Sequence, residues 1–203
     1  INAHRPLDSN AWHLHFADLD VETRWQLMVH VMQNNQPPPQ DSFDRARDLP
    51  GFQMHENFDI RFIELKDGEI TIQSAKGDAV QTDFVIAATG FVCDFTRRTE
   101  TSGIAEHIAL WRERYTPPDE TNWAPMGTYP WLEGGFSFQE KTPGSAPWLQ
   151  HIYCFSLGTK PSLGLTGGSA SSIRHAVPRL IHAVTRQLFL ADVEHHTTAL
   201  LSH

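Results

Sequence analysis

Asp83-Phe84-Val85-Ile86-Ala87-Ala88-Thr89-Gly90-Phe91 is the stretch on which the fold turns. From Phe84 to Ala88 it is continuously apolar. Such a run reads as a strand buried on both faces, the situation of strands in a parallel sheet covered by helices. It ends in Thr89-Gly90, and glycine accepts dihedrals and close approaches that other residues do not. At the carboxyl end of a strand in an open α/β sheet, a cofactor often lies against such a backbone. An ordinary turn closing a core strand reads the same way, because a lone Thr-Gly is a weak signal.

Upstream, the period is two. Phe58, Ile60 and Phe62 alternate with polar residues, as do Ile70 and Ile72. Lys66-Asp67-Gly68 lies between the two runs, and Asp-Gly is a strong hairpin signal. Lys76-Gly77-Asp78 marks a second turn. Further back, Pro37-Pro38-Pro39 forbids a helix and predicts a stiff extended connector, taken here as a domain boundary. Before it, Val21, Trp25, Met28 and Met32 repeat at helical spacing behind an Asp20 N-cap, which predicts a helix over 21–33. His13 and His15 would share one face if residues 1–20 were extended.

Downstream, residues 92–148 are rich in Pro, Gly and Trp and read as irregular, with a short helix near Ile104 to Arg114. Their tryptophans suit either a substrate pocket or core packing. Ile152-Tyr153-Cys154-Phe155 is a second strand candidate. A glycine- and serine-rich loop, Gly158 to Ser172, precedes a one-sided stripe of Ile173, Ala176, Val177, Leu180, Ile181, Val184 and Leu188. Pro178 predicts a kink there, or a helix that starts near it. Ser169, Ser171 or Ser172 could cap the helix, and its N-terminus would attract an anion or a flavin edge, with Gly167 and Gly168 offering backbone amides. Arg174, His175, Arg179, His182 and Arg186 read as a solvated basic face. Asp192 to His203 could add one more turn.

The chain of 203 residues carries 16 Lys and Arg against 24 Asp and Glu, a net charge of -8. That balance disfavours nucleic acid and anionic membrane, both of which select basic patches. No apolar run approaches the roughly 20 residues of a membrane helix. Cys93 and Cys154 match no metal spacing, and a reduced, cytoplasmic protein is the default. No metal is expected, because the histidines have no carboxylate or cysteine cluster at ligand spacing. A nucleophile elbow is absent, so hydrolase chemistry is not indicated. No G-x-G-x-x-G occurs. Ile1 in place of Met fits a fragment, a processed product or a trimmed chain.

An acidic residue, an apolar strand and then Ala88-Thr89-Gly90-Phe91 resembles a segment of the flavin-containing monooxygenases and related two-dinucleotide flavoproteins. The hairpin around Asp67-Gly68 and the loop-helix order from Gly158 onward are similar too, so the resemblance covers roughly residues 15–95 and 150–190 and leaves the middle unmatched. It implies an α/β fold: a partial Rossmann-like FAD-binding domain with a β-hairpin, a mixed sheet and a long C-terminal helix. Residues 1–40 would be a remnant of the nicotinamide-binding domain with its connector, and 41–203 the C-terminal part of the FAD-binding domain. It implies a parent that uses NADPH and FAD to oxygenate a small molecule, with Thr89, Gly90 and Phe91 on one side of the flavin and Gly167, Gly168 and Ser169 on the other. No side chain stands out as a catalytic acid or base. The glycine fingerprints of that family lie earlier in its chains, so the present chain alone should hold FAD weakly and be inactive. The alternative is a stand-alone binding or interaction module that has lost the cofactor.

A chain cut from such a parent exposes former domain faces, which promotes association. Homodimers are therefore expected. Light scattering over a wide concentration range should show a mass above the 23.0 kDa monomer; a compact monomer throughout would count against the expectation.

Overall fold

The computed structural model describes residues 9–34, 38–168 and 170–202. Contacts divide the chain into two compact units, Ile1–Gln36 with Val92–His203, and Pro37–Phe91.

Residues 10–18 are helical rather than extended. Ser9 caps α1 (Asn10–His15) by accepting the Trp12 N–H. Asp20 caps α2 (Val21–Gln33), as its position before the apolar stripe predicts. Its carboxylate accepts the Thr23 N–H at 2.8 Å and the Thr23 hydroxyl at 2.8 Å. These two bonds hold the Asp20 carboxyl below its usual range. Trp25, Met28 and Val29 form the buried face of α2.

In the second unit, Pro39 is not merely a connector. It stands at the N-cap of α3 (Gln40–Arg47), and its carbonyl accepts the N–H groups of Ser42 and Phe43 at 3.0 Å each. Pro37 lies outside the described residues. Asp41 in the first turn and Arg45 and Arg47 in the last complement the helix dipole. The alternating segment folds as β1 (Ile60–Lys66), β2 (Glu69–Ser74) and β3 (Ala79–Thr82), in the order β1-β2-β3 with both pairs antiparallel. Asp67 and Gly68 both have positive φ, 55° and 85°, the requirement of a tight primed turn. The second turn is held by the Ser74 hydroxyl, which accepts the N–H groups of Lys76 and Asp78.

The buried strand expected at Phe84 to Ala88 is not formed. Residues 84–94 have no strand or helix, and Phe84 and Ile86 are 85% and 91% exposed. A strand buried on both faces exists only between neighbours, and no described residue pairs with this segment. Ile152 to Phe155 likewise forms no strand, only a single antiparallel bridge between Ser137 and Tyr153. The described residues thus make a mixed helix and sheet protein with a three-stranded antiparallel sheet; the parallel pairs expected of a mixed sheet are not among them.

The first unit continues irregularly after Val92, through 3-10 turns and α4 (Trp111–Arg114). After α5 (Lys160–Leu163), α6 (Ile173–Ala191) and α7 (Val193–Leu201) end the chain. α6 runs through Pro178 and does not restart there. The missing Pro N–H removes a single bond, close to the helix start. α7 makes the tail more helical than the single turn expected. None of the described helices is long and apolar enough to cross a membrane.

Phe16, Trp25, Met28, Trp111, Phe138 and Leu149 centre the core of this unit. Ser162 is buried among them. Its hydroxyl accepts from Trp111 Nε1 at 3.0 Å and from the Leu132 N–H at 3.1 Å, and donates to the Pro130 carbonyl at 3.2 Å. Ser162→Ala strands two buried donors and one acceptor, and should cost about 2–4 kcal/mol in chemical denaturation. An unchanged unfolding midpoint would show that the hydroxyl is not the tie it looks to be.

Candidate functional site

The glycines of the loop before α6 are used first for packing. Gly164 has φ 66°, and a Cβ there would lie 2.9 Å from the Phe16 ring. Gly167 has φ 86°, and its Cβ would meet the Phe136 ring at 2.8 Å. The Gly167 N–H donates to Ser172 Oγ at 3.1 Å, and the Gly168 N–H to the Leu165 carbonyl at 3.1 Å. Ser169 lies outside the described residues, and Ser172 stands at the N-cap of α6. Thr89, Gly90 and Phe91 belong to the second unit, where the space around Gly90 is open and Phe91 is 70% exposed. The Gly167 and Gly168 amides thus have partners inside their own loop and the helix start.

The basic face of α6 is only partly a solvated one. Thr166, fully buried, donates to the His13 carbonyl at 3.1 Å, which leaves its oxygen to accept from His13 Nδ1 at 3.2 Å. Arg179 donates to the carbonyls of His13 and Leu14, at the C-terminal end of α1, where a cation is favoured. Burial pushes the Arg179 pKa down, against the pull of Asp18. The His175 ring stacks on His13 with centroids 5.1 Å apart, and Arg174 Nε donates to His175 Nε2. His13 and His15 do not share a face: His13 is buried on the helix, and exposed His15 lies 3.2 Å from Asp18. No cluster of metal-ligating side chains exists among the described residues.

Further along α6, Arg179, His182 and Arg186 form one wall of a cleft of about 640 Å³. Glu133, Gly135 and Glu140 contribute to its other side. The walls are pinned at two places. A Cβ on Gly135 would fall 2.5 Å from the Ala183 Cβ, so only glycine permits this approach. Gln187 donates to the Gln150 carbonyl at 3.0 Å, and its own oxygen accepts from the Tyr153 hydroxyl at 2.8 Å. The Glu140 carboxylate is turned to the N–H groups of Gly144 and Ala146, which hold it below the usual carboxylate range. Sequence reading missed this cleft. Gly134-Gly135 was the available signal, but its meaning depends on Ala183, which is distant in the chain.

The tryptophans of the middle segment divide. Trp111 is fully buried and Trp131 partly so, and the Arg24 guanidinium lies 5.3 Å and 5.4 Å from their rings. Arg24 also donates to the Ser162 carbonyl at 3.2 Å, and burial lowers its pKa. These two rings therefore serve the core. Cys93 and Cys154 are both buried free thiols in the same core. Burial above all, and next the nearby Cys154, pushes Cys93 up to about 12. Burial also raises Cys154, and it raises Tyr129 to about 12. An unfolded thiol ionises near 9.0. Above that pH the unfolded chain releases protons that the folded one keeps until about 12, so stability falls as pH rises through this window. Denaturation midpoints should drop from about pH 8 to about pH 11, and neither thiol should react with an aromatic disulfide reagent at about pH 8 until the protein unfolds. Rapid labelling of the native protein would contradict this placement.

No family model and no solved structure matches the chain. Over 189 residues, 93% of its length, it is 31% identical to a protein of Xanthomonas campestris pv. campestris named FAD-dependent urate hydroxylase. The match spans 40% of that protein, so the chain corresponds to less than half of its relative. It is a distant homologue of part of a protein named for FAD-dependent hydroxylation.

Proposed function

We propose that the chain is part of an FAD-dependent, NAD(P)H-using monooxygenase or oxidoreductase that acts on a small molecule. The similarity to an FAD-dependent urate hydroxylase along nearly the whole chain carries this reading. The Ala88-Thr89-Gly90-Phe91 sequence, shared in kind with flavin-containing monooxygenases, agrees with it. The relative's name makes urate and similar oxygenated heterocycles the first substrates to test. In the parent, FAD supplies the redox chemistry, and the protein orients and shields the reacting groups.

In this reading, residues 1–40 are what is left of a nicotinamide-binding domain with its connector, and 41–203 belong to an FAD-binding domain. Thr89, Gly90 and Phe91, with Gly167, Gly168 and Ser169, are the backbone positions that approach the flavin. The chain alone is inactive, because the glycine fingerprints that hold a dinucleotide are absent from it. The parent works in the cytoplasm, and exposed apolar faces favour a homodimer of the isolated chain. A second reading is a binding module that has lost the cofactor. The internal hydrogen bonds of the Gly167 and Gly168 amides favour it.

The deciding experiment is the absorbance spectrum of the complete parent purified without added cofactor, followed by anaerobic NADPH. Flavin absorbance that bleaches is the expected result, and urate consumption under air is then assayed. A colourless protein that takes up no added FAD would overturn the oxidoreductase reading in favour of the module.

A further inference from the structure

α6 carries Arg174, Arg179 and Arg186 with His175 and His182, and no Asp or Glu anywhere in Ile173–Ala191. This is unusual in a protein of net charge -8. Part of that charge is committed. Arg179 holds the end of α1, and Arg174 bonds to His175 and Asn10. His182 and Arg186 are different. They sit four residues apart, so they fall on one helical face. Both line the cleft, and among the described residues neither forms an ion pair.

Two carboxylates, Glu133 and Glu140, line the opposite side, and neither forms an ion pair with His182 or Arg186. Glu140 is taken up by the amides of Gly144 and Ala146. The two walls are tied to each other at the cleft's margins, where Gly135 meets Ala183 and Gln187 bonds to Gln150 and Tyr153. A volume of about 640 Å³ lies within the range of small-molecule sites, roughly 300–1,000 Å³. A cationic wall inside a concave surface also focuses the field on an incoming anion.

We propose that this cleft is a binding site for a small oxyanion, a carboxylate or a phosphate, gripped by Arg186 with His182 one turn away. The planar guanidinium offers two parallel N–H donors to either group. The inference stands on the cleft alone and is independent of the flavin reading.

Calorimetric titration of the 203-residue chain at low salt, with benzoate, with inorganic phosphate and with uncharged benzamide, tests it. Saturable one-to-one binding of benzoate, phosphate or both is expected, with none for benzamide. Benzoate alone identifies a carboxylate site, and phosphate alone a phosphate site. Arg186→Gln should weaken binding about ten-fold or more. Arg186 is exposed, so this change does not threaten the fold. Arg45→Gln, on exposed α3, removes the same charge elsewhere and should leave the affinity unchanged. Failure of both oxyanions to bind, or undiminished binding by Arg186→Gln, overturns the proposal.

Discussion

The buried hydroxyl of Ser162 joins stretches of chain that have little else in common. One oxygen receives the Trp111 indole and the Leu132 N–H while donating to the Pro130 carbonyl, so it satisfies three groups that water cannot reach. The carbonyl of the same residue accepts from Arg24, which brings α2 into the network. The guanidinium is then flanked by Trp111 and Trp131. Burial disfavours its charge, and the ring faces offset part of that cost. The segment from Val92 to His151 contains short turns and isolated bridges in place of long ladders. Its order depends on side-chain ties of this kind, because few backbone pairs are available to hold it.

α6 is the second organiser, and its sides have separate tasks. Ala176 packs inward, and Arg179 closes the end of α1. Gln187 fastens the loop that carries Gln150 and Tyr153. The glycines around the helix belong to the same scheme: Gly135, Gly164 and Gly167 each let the backbone approach a side chain that a Cβ would strike. A glycine cluster before a helix is compatible with cofactor contact and with close packing alike. Here packing accounts for the geometry of these three.

Apolar exposure occurs in both units, on α6 and α7 of the first and densely in the smaller second one. Ile60, Phe62 and Leu65 on β1 and Phe84, Ile86 and Phe91 beyond β3 all face solvent to a large degree. Exposed apolar surface of this extent marks contact faces in soluble proteins.

Local signals were legible in the sequence and were realised. The Asp20 cap and the apolar stripe of α2 act within a few residues of one another. The Asp67-Gly68 turn needs only two positive φ angles, which set the pairing of β1 with β2. The stripe from Ile173 onward specified α6 before any partner was known. The short α1 and α3 lacked enough periodicity to declare themselves; the Ser9 side chain caps the first, and the second starts after Pro39 without a side-chain cap. The apolar run Phe84 to Ala88 announced a strand, but a strand is a relation between segments, and the described residues offer it no neighbour. The cleft, the Ser162 network and the Arg24 stack were decided by tertiary structure alone. Each joins residues far apart in the chain, and only packing determines which polar groups meet when water is excluded.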